Sequence, residues 1–291
     1  MRTISYHALL DKLAARYGVQ RAELAEDQLL TFQEYLDQAL CKCWQTWWWP
    51  ELMQTELRYY RARWAAGTYQ SGDEVYHAGT DQYWQALATT TEEPSTLSSD
   101  WTELNISETA WFRYIGWDQV DETPLDDVEG LYLTNPQLSD QTQSYVAEET
   151  PEGIRVPDVF GNFAWVRFRL RVPTLLASDY SSSAVYTADN QVLFTDGQIY
   201  TCLSSTSAGE SPDTTPAKWQ VVTIPYIFRT AMVEFAYSRI LEADNETTTA
   251  AIHDARGERR LDEEIAKIAV KKRQGRRTSY RTRPAPQHLS Y

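Results

Sequence analysis

Phe163-Ala164-Trp165-Val166-Arg167-Phe168-Arg169-Leu170-Arg171-Val172 alternates apolar and basic residues from Val166 onward. Successive side chains of a strand point to opposite faces, so a period of two predicts a half-buried β-strand. The stretch around it, 105–184, reads as short strands, with turn signals at Asn135-Pro136 and from Asp158 to Asn162. Helical spacing brackets this region on both sides. Upstream, Ser5 or Thr3 can cap a short helix that ends at Gly18. A second helix starts near Ala25, with Leu29, Phe32, Leu36, Leu40, Cys43 and Trp47 on one stripe. Pro50 breaks or kinks it, and Glu51 to Trp64 reads as a further helix. Trp44 and Trp47-Trp48-Trp49 read as a packed helix end in preference to a ligand site.

Downstream, helices resume at Pro225, a residue suited to a first turn. Phe228, Ala231, Met232, Phe235 and Ala236 make an apolar stripe that runs to about Ala243. After a polar break from Asp244 to Thr249, a last helix carries Ala251, Ala255, Leu261, Ile265 and Ile268. Gly257 should weaken that helix by about 1 kcal/mol. Beyond Gly275 the chain is basic, bears prolines and has almost no aliphatics, which predicts an extended arm. At ~3.3 Å per residue, residues 276–291 reach about 50 Å. The expected class is α+β, a helical core from both ends with β-rich insertions. The expected segments are 1–66 helical, 67–104 a small β-module, 105–184 β-rich, 185–222 a second small module, 223–275 helical and 276–291 an arm.

Charge divides the chain sharply. All 41 acidic residues lie at or before Glu264; after it come Lys267, Lys271, Lys272, Arg273, Arg276, Arg277, Arg281 and Arg283 with no acid. The tail thus carries +8, and the body, with nineteen basic against 41 acidic residues, carries −22. Such a body repels nucleic acid, whereas the tail seeks an acidic surface or phosphates. Cys41, Cys43 and Cys202 are odd in number and form no paired CxxC, so neither a disulfide framework nor a zinc site is expected. Met1 to Leu13 lacks the long apolar stretch of a signal peptide, and Trp47-Trp48-Trp49 is far too short to cross a bilayer. No membrane partner is expected, and folding is expected in a reducing cytoplasm.

The two Thr/Ser-rich segments repeat one another. At an offset of 117, Tyr69 falls on Tyr186, Val75 on Val192 and Tyr83 on Tyr200; at 118, Pro94 falls on Pro212 and Trp101 on Trp219. Tyr69-x-x-Gly72-Asp73-x-Val75, Tyr83-Trp84-x-Ala86, Pro94 and Trp101 resemble the small carbohydrate-binding modules attached to bacterial chitinases. That resemblance implies a core of Tyr69, Val75 and Trp101, repeated as Tyr186, Val192 and Trp219. It also implies solvent-facing aromatics that stack on sugar rings, whose C–H groups suit an electron-rich aromatic face. Trp84 is the candidate platform, with Tyr83 and Tyr200 as further glycan contacts; the second copy has Thr201 where the first has Trp84. The competing reading is that both modules are decorations or spacers between subunits.

A second resemblance covers the rest. It rests first on the amphipathic opening that ends in Trp44-x-x-Trp47-Trp48-Trp49-Pro50-Glu51-Leu52. Next come Leu133-Thr134-Asn135-Pro136, Glu152-Gly153-Ile154 and Trp165-Val166-Arg167-Phe168-Arg169. Last is the helix from Ala236 to Asp244 with the Ala/Glu/Arg-rich run to Arg273 and Gln274-Gly275-Arg276-Arg277. In this order they resemble head-to-tail adaptor (neck) proteins of tailed bacteriophages. The resemblance implies a virion protein, assembled in the host cytoplasm, that forms a homo-oligomeric ring, usually of twelve copies, beneath the portal. It implies that C-terminal segments dock onto the portal protein, that tail or nozzle proteins meet the other face, and that DNA passes the lumen without specific binding. The docking candidates are Lys267, Lys271, Lys272, Arg273, Arg276, Arg277, Tyr280, Arg281 and Arg283.

Signals of catalysis are weak. The adjacent acids Glu92-Glu93, Asp126-Asp127, Glu148-Glu149 and Glu263-Glu264 are sequence neighbours, whereas catalytic carboxylates converge from opposite sides of a bond. His7, His77, His253 and His288 share no ligand spacing, and Ser207-Ala208-Gly209-Glu210-Ser211 is not a GxSxG elbow. The expectation is a protein without catalytic, cofactor or metal residues. The alternative is a glycan-binding decoration or adhesion protein that works through its modules on a surface glycan.

Overall fold

A computed structural model describes residues 2–104, 114–119, 122–138, 144–151, 153–156 and 163–279, the last nine by backbone alone. In chain order the first elements are β1 (Thr3–Ile4), α1 (Tyr6–Tyr17), α2 (Glu26–Gln45), β2 (Met53–Tyr59), β3 (Glu74–His77), β4 (Gln82–Ala86) and β5 (Trp101–Leu104). Then follow β6 (Tyr114–Gly116), β7 (Leu125–Tyr132), β8 (Ser144–Tyr145), β9 (Glu148–Thr150), β10 (Gly153–Arg155) and β11 (Phe163–Leu170). The chain continues through β12 (Ser178–Asp179), β13 (Gln191–Leu193), β14 (Ile199–Cys202), β15 (Trp219–Val221), β16 (Ile224–Pro225), α3 (Arg229–Ala243) and α4 (Thr247–Ser279). The fold is mixed α+β. Two units divide it, Met1–Trp47 with Val172–Tyr291, and Trp48–Arg171. The six expected segments therefore regroup, with one small module in each unit.

In the first unit, Ser5 caps α1 by accepting a hydrogen bond from the Ala8 N–H (3.3 Å), and Gly18 at φ 97° ends it in the left-handed region. α2 buries Phe32, Leu36, Leu40 and Cys43 from the expected stripe, together with Ala39 and Trp44; Leu29 and Trp47 are only half-buried. α3 packs against α1, α2 and α4, and accordingly buries residues on every side, from Ala231 and Met232 to Ile240 and Leu241. Pro225 does not open this helix. It pairs with Thr3 in the two-stranded β1–β16 ladder, and a short 3-10 turn, Tyr226–Phe228, leads into α3. Asn245, at φ 64°, makes the turn into α4.

α4 departs from the expected pattern in two ways. Its buried face is Ala250, His253, Gly257 and Leu261, whereas Ala251 and Ala255 are exposed. Gly257 is where the helices touch, since a Cβ there would overlap the Phe235 ring of α3. The absent side chain permits close approach, which outweighs the cost in helix propensity. Polar and charged contacts flank it. Glu234 of α3 receives Arg16 of α1 (2.8 Å) and His253 of α4 (2.6 Å), and Lys42 of α2 reaches Asp254 of α4 (2.8 Å).

In the second unit β11 is the central strand of a four-stranded antiparallel sheet ordered β2-β11-β7-β8. Ala164, Val166 and Phe168 face the core, as the alternation predicts, while Arg167 pairs with Glu129 on the other face. Glu51 to Trp64, expected as a helix, is instead a 3-10 turn at Pro50–Leu52 followed by β2. Its pairing with β11, Leu57 opposite Trp165, overrides local helical spacing. Asn135-Pro136 turns the chain as expected, Asn135 Oδ1 accepting from the Gln137 N–H. The turn expected from Asp158 to Asn162 lies outside the described residues. A second core element is Arg58, fully buried and shared among Glu56, Glu122 and the Thr123 carbonyl. Burial pushes the Glu122 carboxyl up, against the pull of Arg58.

Gly257→Ala is expected to destabilise the first unit by about 1–3 kcal/mol through overpacking against Phe235. Urea or thermal unfolding reads this out; a variant as stable as the parent would contradict the close contact.

Candidate functional site

The two modules are the same structure built twice. β3-β4-β5 and β13-β14-β15 are antiparallel sheets with matching registers: Val75 opposite Trp84 and Ala86 opposite Trp101, against Val192 opposite Tyr200 and Cys202 opposite Trp219. Each copy closes a turn through the same bonds. Gly72 N–H donates to the Ala86 carbonyl and Asp189 N–H to that of Cys202, both at 2.8 Å. Asp73 accepts from the Gln70 N–H (2.7 Å), and Asn190 from the Thr187 N–H (2.8 Å). Gly72 and Asp189 both take positive φ, 98° and 69°. Tyr69 meets Trp101 edge-on at 5.4 Å and 67°, as Tyr186 meets Trp219 at 5.5 Å and 68°. Tyr69 OH brackets the Ala65 backbone and Tyr186 OH that of Ser181. Tyr69, Val75, Trp101, Tyr186, Val192 and Trp219 thus stand in the two cores as expected, Tyr69 half-buried and the others buried.

The register corrects the alignment. The hairpin between the first two strands is one residue shorter in the second copy, so Tyr200 occupies the place of Trp84, and Tyr83 does not match it. The likeness also starts earlier than Tyr69. Trp64 N–H donates to the Tyr76 carbonyl (2.8 Å) and Tyr180 N–H to that of Leu193 (3.0 Å), placing Trp64 and Tyr180 at one shared position. A Trp-to-Tyr exchange leaves no identity for an alignment to find.

Trp84 is no platform. It is 2% exposed, packed among Val75, Ala86 and Trp101, and its Nε1–H donates to Thr80 Oγ1 (3.0 Å). Tyr200 does the equivalent with Asp196 Oδ2 (2.8 Å). Tyr83 is buried on the opposite side of β4, in the core of Tyr60, Tyr76 and Phe168, and its hydroxyl oxygen accepts from the Tyr60 N–H. Burial pushes the Tyr83 phenol up. Of the three glycan candidates only Tyr200 keeps part of its ring in solvent, and burial with the Asp196 bond pushes its pKa up to about 12. What both copies display at matching positions, one step past the second strand, is a leucine: Leu87 at 54% and Leu203 at 52% exposure. Sequence reading missed this pair because the hairpin difference shifts their spacing.

The docking candidates fall on or beyond the end of α4. Lys267 is exposed and pairs with Glu264 (2.6 Å). Lys271, Lys272, Arg273, Arg276 and Arg277 lie on the helix, which continues through Ser279. The arm expected from residue 276 therefore begins as helix, because Lys, Arg and Gln around Gly275 are good helix formers that offset one glycine. Tyr280, Arg281 and Arg283 lie outside the described residues. From Asp262 to Val270 no residue is fully buried, although Glu264, Ile265 and Ile268 are half-buried, so Leu261 is the last fully buried residue among the described side chains of the helix.

Among the described residues, no three His, Cys, Asp or Glu side chains gather as metal ligands, and no helix is long and apolar enough to cross a membrane. Compared with protein-family models and with curated proteins, the chain matches none of either.

Trp84→Ala is expected to cost about 3–5 kcal/mol of stability in the second unit, as for a large core truncation. Unchanged unfolding would contradict its core position. Tyr200 gives a pH signature. Its folded pKa lies above the ordinary 10, so its contribution is complete below pH 10 and is lost as pH rises through about 12. Tyr200→Phe should therefore flatten the fall in melting temperature between pH 10 and 12; an unchanged slope would contradict it.

Proposed function

We propose that this chain is a non-enzymatic structural protein of a phage particle, an adaptor that forms a ring between portal and tail. The observation that carries this reading is the division of charge along α4. Its first half is packed against an acidic body through Ala250, His253, Gly257 and Leu261, and its second half carries only positive charge after Glu264. At 1.5 Å per residue, Lys267 to Ser279 amounts to about 18 Å of helix. A basic helix of that length suits an acidic groove on the portal, and an acidic body repels DNA moving past it. The order of the opening helices, β-rich middle and closing helices agrees with the adaptor resemblance. In this reading the ring is the homo-oligomer, tail or nozzle proteins meet its far side, and the modules are spacers or contact points. The alternative, a glycan-binding protein, has lost its strongest support, because Trp84 is core.

Deleting residues 271–291 tests the reading. The truncated chain should keep its unfolding midpoint and lose binding to the portal protein of the same phage. Binding in the full chain should weaken as salt rises from 0.05 to ~0.5 M, since exposed charges are screened beyond about 10 Å at 0.1 M. Undiminished docking of the truncated chain would refute the role given to α4.

A further inference from the structure

Within a body of net charge −22, one face of the first unit is positive. The β1–β16 ladder builds it. Pairing of Thr3 with Pro225, and the bond from Tyr226 N–H to the Arg2 carbonyl (2.9 Å), hold Arg2 beside Tyr226. Arg229, the first residue of α3, lies against the same ring. The two guanidinium carbons sit 3.8 and 4.2 Å from the ring centroid. Stacking on an aromatic face fixes each guanidinium plane and leaves its N–H edge to donate. Arg229 also lines two shallow grooves, about 330 and 460 Å³, the smaller one shared with Lys12 of α1. The other cations there are committed, Arg16 to Glu234, Arg260 to Glu263 and Lys267 to Glu264. Among the described residues Arg2, Lys12 and Arg229 have no carboxylate partner. Two like charges held on one ring without a counter-ion repel each other, and a carboxylate placed between them relieves that repulsion.

We infer that this face of Arg2, Lys12 and Arg229 receives an acidic surface of a second copy of this chain. This deepens the ring reading above and rests on it. The occupant follows from charge. Each copy offers a surplus of carboxylates, and guanidinium edges bind carboxylates in bidentate fashion. Positive face and acidic surface differ within one chain, so the contact is heterologous, the kind that closes into a ring when the rotation permits. The same surplus of acid disfavours nucleic acid as the occupant.

The test measures the assembly of the full chain by mass photometry, alone and with portal protein, for wild type, Arg2→Glu/Arg229→Glu and the exposed Lys12→Glu. Arg2→Gln/Arg229→Gln, which keeps the side-chain bulk over Tyr226, guards against misfolding. The inference expects wild-type rings, with assembly weakened roughly ten-fold or more in both charge-reversed variants because like charges then face each other. Rings that persist in correctly folded variants would overturn the inference and leave the adaptor reading standing. A wild type that stays monomeric both alone and with portal would overturn both. Duplex DNA bound by wild type and released by Arg2→Glu/Arg229→Glu would overturn the acidic-protein occupant in favour of phosphates.

Discussion

The contact between Gly257 and the Phe235 ring sets how closely α4 lies on α3, and the course of the C-terminal helix depends on it. Dispersion between closely packed atoms falls off within an ångström, so a side chain at 257 would lift the helix and loosen Ala250, His253 and Leu261 together. The bonds to Glu234 add direction to that contact. Arg16 and His253 both bond to one carboxylate that is only partly exposed, so a single side chain of α3 ties all three helices together.

Charge and packing are sorted by position. The helices and sheets bury apolar and aromatic side chains, and the acids cover the body. In the sequence, the cations that follow the last acid all come after Leu261, the last buried residue of α4. The first half of α4 is then positioned by the first unit's own core. The same logic applies at Arg2 and Arg229, which a tyrosine ring holds without an acid, against the prevailing sign of the surface.

Local signals were well legible in the sequence. Ser5, Gly18 and the α2 stripe act within a few residues, and the alternation of β11 states its own buried face. Long-range pairing was not. Met53–Tyr59 becomes a strand only because β11, more than a hundred residues later, offers it an edge. The modules were recognisable as a pair because Tyr, Val and Trp recur at near-constant spacing. Yet a hairpin differing by one residue misaligned Tyr83 with Tyr200 and hid both the Trp84–Tyr200 equivalence and the leucine pair. The module resemblance implies an exposed Trp84; its strand partner Val75, with Ala86 and Trp101 packed beside it and the Thr80 hydroxyl on its Nε1–H, holds it inside. Gly257 read as a defect because one sequence cannot say what a missing side chain makes room for.

If the chain is an adaptor, the positive end of α4 meets a neighbouring protein in the assembled particle. Cryo-electron microscopy of intact particles at side-chain resolution tests it most directly. The account predicts ordered density for residues 265–291 lying against acidic side chains of another protein in a closed ring. Density showing that segment in open solvent, touching nothing, would contradict it.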